Sequence, residues 1–124
     1  MNTLFFIYQS MFNRRGKSRD GSKKIKANLS IVQLSEQCFA LRHHNTYIVK
    51  AYIDGRVILN NGGWHSVTTK KHMNFYALKR LGLYLYQSDF EWYISQNGIQ
   101  HNYHNGINVN ALDCVSLNTL EVAV

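Results

Sequence analysis

Asp54-Gly55 stands between two alternating stretches, Thr46–Ile53 and Arg56–Asn60. Both turn residues tolerate positive φ, which makes this pair the strongest short-range hairpin signal. On the first stretch Tyr47, Val49, Ala51 and Ile53 share one face, and Ile48, Lys50 and Tyr52 share the other. Asn97-Gly98 and Asn105-Gly106 mark two more turns. Leu29–Leu34 and Cys38–Leu41 read as strands around Ser35–Gln37. Leu83–Gln87 and Phe90–Ser95 read as a hairpin around Ser88-Asp89. Ile99–His104 is a further strand with Ile107–Val109 as its return, and the tail from Ala111 is a possible edge strand.

One segment has helical rather than alternating periodicity. From about Lys70 to Leu81, Met73, Ala77 and Leu81 recur at i, i+4 and i+8, flanked by Tyr76 and Leu78. Thr68-Thr69 offers an N-cap, and Gly82 a residue to end the helix. Lys79 and Arg80 suit the dipole in the last turn, whereas Lys70 and Lys71 oppose it in the first. With 124 residues, the chain is one domain by length. The expected fold is α+β, a mainly antiparallel sheet of hairpins packed against one helix.

The formal charge of +7 is concentrated. Arg14, Arg15, Lys17, Arg19, Lys23, Lys24 and Lys26 face one acid, Asp20, which leaves residues 13–27 at +6 and the rest of the chain at +1. This stretch has almost nothing to bury, so it is expected to be a flexible basic arm or loop. It would divide the chain into a short apolar segment (1–12), the arm (13–27) and one α+β domain (28–124). A polyanion contact is the functional reading of such a cluster, and a solvated linker the bland one. Gly16-Lys17-Ser18 ends like a phosphate-binding loop, but Met11 stands where its first Gly belongs.

Eight Tyr, six Phe and two Trp favour pleated surfaces, and the absence of Pro alongside abundant Asn, Lys and Ile fits an AT-rich genome. Leu4–Tyr8 is apolar but too short for a signal peptide or a membrane span. The expected location is the cytoplasm of a host cell, with no membrane partner. Met11 is an alternative start, in which case Leu4–Tyr8 would be dispensable. Cys38 and Cys114 read as free buried thiols.

The stretch from Leu59 to Asn74, LNNGGWHSVTTKKHMN, resembles a group of small tailed-phage proteins with the pattern L-N-x-G-G-W-x-T-V-T-T-K-x-R-M-N. A hairpin bearing Tyr86 and Trp92 and a closing Asn105-Gly106-Ile107 also resemble the group. Ser66 stands where the group has Thr, and His72 where it has Arg. The resemblance covers about residues 32–109 and implies a phage accessory protein, without implying a chemistry.

Six histidines invite a metal reading, but His101 and His104 on a strand would point to opposite faces, and His43 and His44 would diverge. No metal, cofactor or catalytic residue is expected. The distinctive site is Gly62-Gly63-Trp64. Structurally, the glycines form a sharp exit and Trp64 packs under the helix. Functionally, the glycines allow close approach, the helix start favours an anion, and His65, Lys70 and Lys71 surround it. With the arm these would form one polyanion-binding face. Two readings follow: a non-catalytic binder of nucleic acid, DNA or RNA, or of a host ribonucleoprotein complex; and an anti-CRISPR-like inhibitor that acts by protein–protein contact.

Overall fold

The computed structural model describes residues 3–63 and 65–112. Their strands form two antiparallel sheets. The larger is formed by β1 (Lys23–Lys26), β2 (Leu29–Ser35), β3 (Cys38–His43), β4 (Thr46–Tyr52), β5 (Val57–Leu59) and β9 (Ile107–Asn108), in that spatial order. The smaller holds β6 (Leu83–Ser88), β7 (Glu91–Gln96) and β8 (Ile99–Asn102). The fold is α+β and mainly sheet, as expected.

Among the described residues there are two α-helices where the sequence suggested one. The second, α2 (Val67–Tyr76), begins three residues before the expected start because Ser66 caps it, not Thr68 or Thr69: the Ser66 Oγ accepts the Thr69 amide at 3.0 Å. Ser and Thr are both good caps, so Ser66 in place of the phage group's Thr keeps the function. The helix breaks at Ala77 (φ −135, ψ −68), and a 3-10 turn, Leu78–Leu81, carries the chain to Gly82 in the left-handed region. Met73 and Ala77 are fully buried, whereas Leu81 is only half-buried. Ser66→Ala should lower stability by about 1 kcal/mol, read as a shift in the denaturation midpoint without loss of cooperativity.

The first helix, α1 (Thr3–Phe12), corrects the expectation that Leu4–Tyr8 is dispensable. Leu4, Phe5 and Tyr8 are 0%, 1% and 0% exposed. They lie against β2, β3 and β4, with the Phe5 and Phe12 rings 5.2 and 5.3 Å from that of Phe39. The Tyr8 hydroxyl donates to the Tyr76 carbonyl at 3.0 Å and ties the two helices together. The same end of α2 is also secured by Asn74, whose side chain both donates to and accepts from the Leu85 backbone at 2.8 Å.

The β4–β5 hairpin forms at Asp54-Gly55 as expected, with Gly55 at φ 106. Ile48 departs from simple alternation. The β3–β4 ladder passes from Leu41↔Val49 to Arg42↔Tyr47, and the skipped Ile48 turns inward beside Val49, both buried. Such a bulge re-aims one side chain. The expected partner of β9 is also corrected. Leu59 pairs with Ile107, so β9 closes the larger sheet against β5 instead of returning along β8. Of the basic stretch, residues 13–22 form the loop, while Lys23–Lys26 is an edge strand on β2. The chain beyond residue 112, with the suggested edge strand and Cys114, lies outside the described residues; Cys38 is a buried free thiol.

Candidate functional site

β1 ends beside α2, and the last β1 residue, Lys26, lines a cleft of about 740 Å³ with Lys71, Lys79, His72 and the rings of Phe75, Tyr76 and Tyr84. Four elements converge there: the edge strand, α2, the 3-10 turn and β6. Phe75 and Tyr84 are 56% and 59% exposed. Phe75 meets Tyr76 edge-on at 4.8 Å. The Lys79 ammonium lies 5.5 Å from the Phe75 centroid and that of Lys26 lies 6.0 Å from Tyr76, within reach of a cation–π attraction. No acid among the described residues lines the cleft. The ion pairs among them are Arg42–Asp20 and Arg56–Asp54, so no described carboxylate is paired with these three lysines.

His72 forms part of the cleft wall. It is 8% exposed and packs edge-on against His43, centroids 4.8 Å apart. His43 lines a second, smaller cleft of about 520 Å³ with His44, Thr46, Asn61 and Ser66, and Thr68 borders both clefts. His43 and His44 do not diverge as expected: their rings lie 4.4 Å apart, because His44 sits in the β3–β4 turn at φ 56, where strand alternation no longer applies. Burial, then His43 and Lys26, pull the His72 pKa from 6.5 to about 4. Burial, then His44, lowers that of His43. Both rings are therefore neutral at pH 7.

The sign of the linkage follows. Between pH 6.5 and about 4 the unfolded chain takes up a proton at residue 72 that the folded chain rejects, so stability is intact above 6.5 and falls through that window. The thermal midpoint should drop as pH falls from 6.5 to 4, and His72→Gln should flatten the drop. An equal slope in the variant would place the titration elsewhere. Among the described residues no group of three His, Cys, Asp or Glu side chains is arranged to hold a metal ion.

The residues expected to form one basic face are dispersed. Lys26 and Lys71 meet in the large cleft. Lys70 turns the other way, donating to Gln87 at 2.8 Å with its ammonium 5.7 Å from the Trp92 ring, which His65 meets edge-on. Arg14 lines a separate hollow with Phe6, Met11 and Arg80. Lys17 lies over Phe12, and Lys23 donates to the Arg15 carbonyl. Arg15, Arg19 and Lys24 are exposed. Asp20, the one acid of the stretch, pins the loop: it accepts from the Ser22 amide and hydroxyl at 3.0 and 2.6 Å and from Arg42 at 3.0 Å. These contacts hold its pKa down to about 2.

The Gly62 and Gly63 amides donate to the Asn60 and Asn61 side chains at 2.7 and 2.8 Å. Gly62 is required for a different reason. A Cβ there would stand 2.8 Å from the Thr46 hydroxyl, at φ 66. Trp64 lies outside the described residues. Sequence reasoning missed Lys79, Phe75, Tyr76 and Tyr84 as site residues. Lys79 and the rings were read only as dipole partner, stripe and strand; their shared wall depends on the break at Ala77 and on β6 docking, neither of which is local.

Residues 10–110 match the family model of the Kyanoviridae Gp96 protein. The chain belongs to this family. The match runs from the last turn of α1 through β9 and contains the whole of the large cleft. The Kyanoviridae Gp96 proteins are phage proteins, in keeping with the resemblance read from residues 59–74. No curated protein and no solved structure matches the chain. No helix among the described residues of this Gp96 family member is long and apolar enough to cross a membrane.

Proposed function

We propose that this phage protein is a non-catalytic accessory factor that binds nucleic acid, free or within a host complex, in the host cytoplasm. The observation that carries the reading is the large cleft, with three unneutralised lysines on a wall of exposed rings. Phosphates supply charge to ammonium groups, and bases supply π-faces to rings. A cleft lined by both, without a carboxylate, suits a polyanion that carries flat groups. The non-catalytic part of the reading rests on the same lining. Among the described residues it contains no acid to serve as general base. The basic loop of residues 14–19 adds to the protein's overall positive charge, which speeds encounter more than it selects.

Fluorescence anisotropy with labelled oligonucleotides across a salt series tests this. Binding should weaken with salt, each lysine–phosphate contact contributing a slope of about 0.7 for a single strand. Salt-independent binding, or none at low salt, would discard the proposal.

A further inference from the structure

The β6–β7 register sets Tyr86 opposite Tyr93, and Tyr84 lies two residues along β6 on the same face. The opposite face holds Leu83, Leu85, Trp92 and Ile94, all buried. The three tyrosines thus occupy the outer face of the smaller sheet. Their rings form a continuous row. Tyr84 and Tyr86 are 6.2 Å apart with 10° between planes, and Tyr86 and Tyr93 are 5.7 Å apart at 32°.

Cross-strand pairing stabilises small sheets and accounts for Tyr86 against Tyr93. It does not account for Tyr84, which faces Ser95 across the ladder, is 59% exposed, and forms part of the lysine cleft. The rest of this outer face is polar and uncharged near the rings: Ser95, with Gln100 and Asn102 on β8. Gln100 accepts from the Tyr86 hydroxyl at 2.5 Å. The one carboxylate on the face among the described residues, Glu91, stands opposite Ser88 at the far end of the hairpin. The face therefore runs from a cationic end at Tyr84 to an anionic end at Glu91, with rings between.

We propose that this tyrosine row is a stacking platform for the unpaired bases of a single-stranded nucleic acid whose phosphates lie in the lysine cleft. This rests on the nucleic-acid reading of that cleft and narrows it. A duplex hides its base faces within its own stack, so the platform selects single strands. The strand lies with its phosphates toward Tyr84 and away from Glu91, because like charges repel at the far end. Polar side chains beside the rings accept any base edge, so sequence preference is slight.

The experiment uses the full chain with four probes: oligo-dT, oligo-U, a DNA duplex of the same length, and heparin. The two oligomers distinguish DNA from RNA. The expected result is tighter binding to at least one single strand than to the duplex. Tyr84→Ala and Tyr93→Ala should each weaken single-strand binding by about tenfold while leaving heparin binding and the salt slope unchanged. Tyr84→Phe should bind like the unaltered chain, because stacking needs the ring and not the hydroxyl. Tyr84 is exposed, so its variants keep the test valid if Tyr93→Ala fails to fold. Heparin binding with single strands no tighter than duplex, or no loss in Tyr84→Ala, overturns the platform and leaves the cleft reading standing. No binding to any probe overturns both.

Discussion

A chain shortened to begin at Met11 should not fold. The loss removes Leu4, Phe5 and Tyr8, each at most 1% exposed, from the core between the larger sheet and α2. Deleting a single buried side chain of this size costs about 2–5 kcal/mol. Three such losses are comparable to the whole margin of about 5–15 kcal/mol that holds a domain together. Phe39 would lose the Phe5 ring packed on it, and the Tyr76 carbonyl would lose its donor. Circular dichroism on heating should show no cooperative transition. A truncated chain that melts cooperatively within a few degrees of the full one would mean that α1 is a passenger.

The second large effect concerns binding. Lys71→Glu combined with Lys79→Glu should abolish measurable association with oligonucleotides, because two attractive contacts become repulsive within one cleft. Both side chains are exposed, so the fold should survive. An acid near the start of α2 is neutral or slightly favourable. Lys70→Glu is the control for Lys71→Glu alone. Each changes the charge by two units at adjacent positions, but the Lys70 ammonium is engaged with Gln87 and Trp92, so its loss should be much smaller. Replacing Arg14, Arg15, Lys17 and Arg19 with Gln removes four charges from the loop. If that variant loses binding while the Lys71/Lys79 variant retains it, the contact is the loop and not the cleft.

The difference between Lys70 and Lys71 shows where sequence reading stops. Adjacent residues on a helix point about 100° apart, so a run of cations splits between neighbours that only the tertiary fold supplies. The β4–β5 hairpin was legible because Asp54-Gly55 is a local device. The β6–β7 turn was legible only as a turn. Its positive-φ residues are Asp89 and Phe90, at 51° and 68°, one place later than Ser88-Asp89, and no propensity scale would choose Phe for that conformation. The helix α1 had left a readable trace. Leu4, Phe5, Tyr8, Met11 and Phe12 fall at i, i+1, i+4, i+7 and i+8, an amphipathic stripe that the length of the apolar run alone does not reveal. The expected arm failed to anticipate Asp20. A lone acid among seven bases reads as noise until Arg42 is found beside it, 22 residues away in sequence.

The pairing of Leu59 with Ile107 also bears on how quickly the molecule can assemble. Every other strand pairing among the described residues joins neighbours in the chain, and such contacts form early because little entropy is lost in closing short loops. β9 can dock only after the intervening excursion through α2 and the whole smaller sheet has brought it back. The tyrosine-bearing sheet and the α2 wall of the lysine cleft thus belong to a segment pinned at both ends by a single late-forming seam. Contacts of this range slow folding more than they add stability. In a nascent chain emerging from the ribosome, the larger sheet remains open at β5 until residue 108 is free, leaving a strand edge exposed for that interval.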